Sequence, residues 1–178
     1  MMYVLFGVLL TIAIILVTAA LKPNTVHYER SAVIHAPADR ILSQISNFHS
    51  WQPWSPWERL DPAMRREYHG ADRGVGAKYH WSGNQKAGEG EMEIIDEKPD
   101  SVTIDLHFMK PWEAKCITVF KTTPEPHGTR LTWTMDGPNT YMGKLFGLFA
   151  NMDKMIGRDF ETGLAGIKAA AEDRHAQA

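Results

Sequence analysis

Residues 142–170 read MGKLFGLFANMDKMIGRDFETGLAGIKAA, and how this stretch is read decides the fold. Met142, Leu145, Phe146, Phe149, Met152, Ile156, Phe160, Leu164 and Ile167 recur at steps of three and four. That is one apolar face of an α-helix, with Lys144, Asn151, Lys154, Arg158, Glu161 and Lys168 on the other side. The periodicity predicts one long amphipathic helix over about residues 140–172. Such a helix must bury its stripe against another layer, so the segments before it have to supply one.

Those segments alternate with period two. In VHYERSAVIH (26–35), Val26, Tyr28, Arg30, Ala32 and Ile34 share a face opposite His27, Glu29, Ser31, Val33 and His35. Pro37 and Asp39 open a short helix expected from Ala38 to about Phe48. Further strands are expected at 66–70, 77–83, 88–96, 101–108, 114–122 and 129–137, separated by Gly, Pro and Asn turns. The order predicts an α+β fold: a curved antiparallel sheet of about six to seven strands gripping a long C-terminal helix.

At the other end, residues 2–21, MYVLFGVLLTIAIILVTAAL, contain no charged residue. At about 1.5 Å per residue the run is long enough for a hydrocarbon core of about 30 Å. The reading favoured is an uncleaved single-pass membrane anchor. A cleaved secretory signal is the alternative, with Thr18-Ala19-Ala20 near a cut site, but the run exceeds the usual apolar region of about 7–15 residues and lacks a basic segment before it. Lys22, Arg30 and Arg40 follow the span and would keep the domain cytoplasmic, whereas a short N-terminus retained inside would place it outside. The side stays open. The expected layout is an anchor at 2–21, a domain at 26–172 and a tail at 173–178.

The 178 residues are 44% hydrophobic with a net charge of −2, which suits a single packed domain. The near balance of charge argues against nucleic acid, which requires a basic patch. The single cysteine, Cys116, permits no internal disulfide and reads as a small buried hydrophobe in a strand. The eight histidines include no H-E-x-x-H and no pair at helical i,i+4 spacing, so no metal is expected. No phosphate-binding or dinucleotide-binding glycine pattern is present, and no cofactor is expected.

Proton-transfer residues are few. Asp105 and His107 alternate away from Leu106 and Phe108 and so belong to a solvated face. They become the acid–base candidates only if that face is the inner one. Asp136 and Asp153 are weaker candidates. Glu89, Glu91 and Glu93 are expected to face solvent, and Asp153, Lys154, Arg158 and Asp159 to be surface charges. Trp51, Trp54 and Trp57, spaced by three with Pro53 and Pro56 between them, hold half of the six tryptophans. The prolines exclude a regular helix there. The stretch reads as a rigid shoulder packing the short helix on the sheet, near the mouth of any cavity.

Several motifs occur in order: RSAVIHAPAD at 30–39, W-x-x-W-S-P-W at 51–57, D-P-x-M at 61–64, and G-V-G-A-K-Y-x-W-x-G-N at 74–84. They continue with G-E-G-x-M-x-I at 88–94, G-T-R-L-T-W-x-M-x-G at 128–137, and M-D-K-M-I-G-R-D-F-E-x-G-L at 152–164. Together they resemble the helix-grip superfamily of START-like and birch-pollen-allergen-like proteins, specifically the polyketide cyclase/dehydrase-like (SRPBCC) branch. The resemblance implies a deep apolar cavity between sheet and helix that takes a hydrophobic small molecule or lipid. The candidate ligand contacts are Trp54, Trp81, Met92, Leu106, Phe108, Trp112, Trp133, Met135, Phe149, Met152 and Phe160. A cyclase- or hydrolase-type enzyme would need polar groups inside the cavity, and a protein-interaction module would show an exposed apolar patch instead.

Overall fold

The computed structural model describes residues 1–173. A helix α1 (Met2–Ala20) stands free of the domain over most of its length. β1 (Thr25–Ile34) and the short α2 (Ala38–Ser43) follow, then two 3₁₀ turns, Phe48–Ser50 and Pro56–Arg59. Six more strands come next: β2 (Arg65–Gly70), β3 (Ala77–Ser82), β4 (Glu89–Lys98), β5 (Ser101–Lys110), β6 (Ala114–Glu125) and β7 (Gly128–Pro138). Two helices close the chain, α3 (Tyr141–Phe149) and α4 (Met152–Glu172). Of the expected tail, 173–178, all but Asp173 lies outside the described residues.

The seven strands form one antiparallel sheet in the order β1-β7-β6-β5-β4-β3-β2. Every connection except that to β1 is local, and β1 closes the row by pairing with β7, Tyr28 opposite Met135. The alternation read from sequence is the alternation of burial. Ile94, Ile104, Phe120 and Leu131 are fully buried on the inner face beneath Phe160, Leu164 and Ile167 of α4. This is a helix-grip α+β fold, as expected.

Two expectations need correction. The short helix ends at Ser43 rather than near Phe48: Gln44 is its C-cap, and Asn47, already extended, accepts the His49 N–H to start a separate 3₁₀ turn. The single C-terminal helix is two. Ala150 is extended, and the Asn151 side chain accepts the Lys154 N–H at 2.9 Å, capping α4 afresh. The apolar stripe therefore serves two different surfaces. α4 lies on the sheet, whereas α3 packs on α1. Lys144, expected on a solvated face, is buried and bonded to the Asn24 side chain.

The tryptophan stretch is a shoulder. Trp51 Nε1 donates to Ile45 O at 3.0 Å and Trp54 Nε1 to Gln44 O at 3.2 Å, fastening the stretch to the end of α2. The rings pack edge-on to the core, Trp54 with its centroid 6.1 Å from Trp133, and Trp57 5.6 Å from the same ring.

Candidate functional site

Between the inner sheet face and α4 lies a cavity of about 210 Å³. Register explains its floor. Tyr79 pairs with Met92 and Met92 with Leu106, so three inward side chains from β3, β4 and β5 stand side by side. Gly90 opposes Trp81, and a Cβ on it would come within 2.4 Å of the Trp81 ring. The bare backbone at Gly90 is what lets the indole lie across β4, where its Nε1 donates to Ala87 O at 3.1 Å. Trp133 and Met135 of β7, Phe108 of β5 and Ile156 and Phe160 of α4 extend the apolar lining, with Trp51 and Trp57 of the tryptophan stretch and Met64 beside it. Trp133 and Phe160 stack with centroids 4.2 Å apart and planes 6° from parallel.

Polar groups are few, and Thr118, Glu58 and Tyr79 are occupied. Thr118 accepts the Trp133 Nε1–H at 2.8 Å and donates to Thr134 O at 2.7 Å. Glu58, 8% exposed, sits in the wall with Oε1 accepting from the Tyr79 hydroxyl and Oε2 from Arg66 Nε, both at 2.6 Å. Burial, together with that bond to the Glu58 carboxylate, raises the Tyr79 phenol well above the ordinary tyrosine range. Asp159 lines the helix wall and makes no hydrogen bond or ion pair among the described residues. Loss of water around it raises its carboxyl above the usual aspartate value.

The cavity brings together Trp81, Met92, Leu106, Phe108, Trp133, Met135 and Phe160 from the expected ligand contacts. It does not take in the other four. Trp54 is 1% exposed but stands behind the lining, against the backbone of α4. Trp112 is on the surface, its ring 5.2 Å from Phe146. Phe149 and Met152 line a separate, open groove of about 750 Å³ beside β1 and α3. That groove shares Phe108, Met135 and Ile156 with the cavity, so the two spaces adjoin.

Asp105 and His107 face outward. His107 lies between Glu113, 3.1 Å from Nε2, and Glu91, 3.6 Å from Nδ1, on the face away from the cavity, and Asp105 is exposed. Asp136 bonds His27 at 2.7 Å on the same outer face, and Asp153 holds Arg30 at 2.9 Å against α4. The four are held in surface ion pairs or in solvent. Among the described residues no group of acidic, histidine or cysteine side chains is arranged to hold a metal.

The polar residues that reach the cavity, Glu58, Tyr79 and Asp159 among them, were not singled out by sequence reasoning as site residues. For Asp159 a signal existed: it stands three residues after Ile156 and four before Gly163, inside the buried stripe of α4. For Glu58 there was none, since its partners lie on strands reached only by folding.

The family model described as polyketide cyclase / dehydrase and lipid transport matches residues 25–172, and the chain belongs to that family. No curated protein sequence matches the chain. Among solved structures, a protein from Chromobacterium violaceum superposes with TM-score 0.59 at 16% identity, over 85% of this chain and 99% of that one. Major latex-like protein 151 from Panax ginseng does so with TM-score 0.59 at 13% identity, over 85% and 100%. The di-domain ARO/CYC StfQ from the steffimycin biosynthetic pathway superposes with TM-score 0.64 at 13% identity, over 85% of this chain. This chain spans about half of that one, 52%. At these identities the likeness is one of fold.

Proposed function

We propose that this member of the polyketide cyclase / dehydrase and lipid transport family is a membrane-anchored binding protein for a hydrophobic small molecule or lipid. Residues 2–21 are the anchor and 26–172 the binding domain. The observation that carries the reading is the cavity: aromatic and methionine side chains on most of its wall, with only a few polar groups, of which Glu58, Tyr79 and Thr118 are internally bonded. Such a lining rewards apolar ligands and fixes few orientations. At about 210 Å³ it is smaller than the ~300–1,000 Å³ typical of ligand pockets. A ligand longer than a single ring system would therefore extend into the adjoining groove. The anchor reading is supported by α1, whose 19 residues have a mean hydropathy of 2.6 and are almost wholly unburied.

The test is extraction of the full chain in detergent, native mass spectrometry, and thermal stability against fatty acids, isoprenoid quinones and aromatic polyketides. A co-purified apolar compound, or a stability gain from one class that Leu106→Trp abolishes by filling the cavity, is expected. No bound compound and no shift from any class sinks the reading.

A second reading, a cyclase-type enzyme, is favoured by Asp159. A carboxyl without a partner at an apolar wall, its pKa raised, is suited to proton transfer, and the Tyr79 hydroxyl stands in another wall. This reading requires that the bound compound change mass on incubation and that Asp159→Asn stop the change without expelling the compound. Recovery of the compound unaltered excludes it.

A further inference from the structure

α3 is tied to the last turns of α1 rather than to the sheet. The Tyr141 hydroxyl donates to Leu16 O at 3.3 Å, the Lys22 ammonium to Gly147 O, and the Asn139 amide to Pro23 O at 3.0 Å. Leu16 lies five residues before Leu21, the last apolar residue of α1's run, hence about 7–8 Å along the axis at ~1.5 Å per residue. The polar layer on each side of a hydrocarbon core is only about 5–7 Å deep. The Tyr141 contact at Leu16 thus falls just inside the apolar run and those at Lys22 and Pro23 just beyond it, so any bilayer crossed by α1 meets α3 at the boundary between its hydrocarbon core and its headgroups.

The surface α3 offers there is apolar. Phe149 is 75% exposed and Trp112, packed beside Phe146, 57% exposed, with Tyr141 and Met142 also open. α3 contains no acidic residue, and its one cation, Lys144, is turned inward to Asn24. Tyr and Trp rings at a helix exit, on a helix with no outward charge and beside the exposed Lys110 and Glu113 that flank Trp112, match the mixed apolar and polar chemistry of the membrane interface. Behind Phe149 the groove runs from this surface to Phe108, Met135 and Ile156, which it shares with the cavity.

Resting on the anchor reading of α1, we infer that α3 and the Trp112 turn lie in the interfacial layer of the same bilayer, and that the groove behind Phe149 admits acyl-chain-like ligands from it into the cavity. The ligand thus reaches its site laterally from lipid. A second protein seated on α3 is the competing occupant.

The experiment uses the full chain in phosphatidylcholine vesicles containing one of two photoreactive phosphatidylcholines, with a diazirine near the headgroup or at the acyl end. Adducts are located by peptide mass spectrometry. The headgroup-proximal probe is expected on Trp112 and residues 141–149. The acyl-end probe is expected on α1 and, through the groove, on Phe108, Met135 or Ile156. Phe149→Asp, at an exposed position, should lower the α3 and groove adducts several-fold and leave those on α1 unchanged. Adducts confined to α1 overturn the inference while leaving the anchor intact. Adducts on α3 but none on the shared groove residues overturn lateral access, and shielding of α3 by another protein overturns the seating. Absence of adducts on α1 itself overturns the anchor reading and this inference with it.

Discussion

The Tyr79 hydroxyl donates to Glu58 Oε1 at 2.6 Å while Arg66 Nε donates to Oε2 of the same carboxylate, also at 2.6 Å. This trio joins the 3₁₀ turn at Pro56–Arg59 to β2 and β3, and so holds the Trp57 side of the cavity against the sheet. Glu58 and Arg66 are shielded, their side chains 6% and 17% exposed, so removing one partner strands the other in a poorly solvated place.

Glu58→Ala is therefore expected to cost about 3–5 kcal/mol, and Tyr79→Phe about 1.5–3 kcal/mol for a bond to a charged group. The double variant should cost less than the sum of the two, since both act on one network. Urea unfolding of the full chain in detergent measures this. Strictly additive losses would show that the trio is not energetically coupled.

Asp159 fixes a pH dependence. Its folded pKa is raised by lost solvation, so both states hold the proton below the ordinary aspartate value. As pH climbs from that value through the raised one, the unfolded chain gives up its proton more readily, and stability is lost over that window. Asp159→Asn should thus raise the melting temperature at pH 7 and leave it unchanged at pH 3. A variant less stable than the native chain at pH 7 would mean that the carboxylate has a stabilising partner.

Two glycines of α4 differ in what an added Cβ would meet. A Cβ at Gly166 would sit 2.8 Å from Trp54 O and 2.9 Å from Trp54 Cα, backbone that the Trp54–Gln44 bond holds in place. At Gly157 the Cβ would meet only the end of the Arg30 side chain. Gly166→Ala should destabilise by about 1–3 kcal/mol through overpacking, against an intrinsic helix gain of about 1 kcal/mol. Gly157→Ala should cost less, because a guanidinium can swing aside at the expense of its pairs with Asp153 and Glu161. Equal melting temperatures for the two variants would contradict this account of α4 packing.

Cys116 is expected to be inert. It is 7% exposed, and burial, with the charges of Asp105 and Asp136 nearby, raises its thiol pKa. Only the thiolate is nucleophilic, so iodoacetamide at pH 8 should modify the folded chain at least about tenfold more slowly than the urea-unfolded chain. Similar rates would place the thiol in water.

How much of this was legible depends on the range of the interactions involved. Leu106, Phe108, Trp133 and Met135 were assigned to the inner face, and Asp105 and His107 to the outer, from alternation alone, because strand geometry sends neighbours to opposite faces whatever the partner strand is. The break at Ala150–Asn151 was hidden by a stripe that keeps its phase across it, although Asn151 followed by Asp153 is a helix-start signal. Trp112 and Phe149 are apolar and in register, yet one sits on a turn and the other at a helix end, where period carries no information about depth.

The amino-acid sequence by itself determined the apolar run, the succession of strands and the inner face of the sheet, since each follows from local period or composition, and its motifs in order carried the family resemblance. Tertiary structure alone decided that Glu58 meets Tyr79 and Arg66, that Asp159 lies unpartnered in the cavity wall, and that α3 turns from the sheet to α1. Those are contacts between residues far apart in the chain, and their cost or benefit arises only once folding removes the water between them.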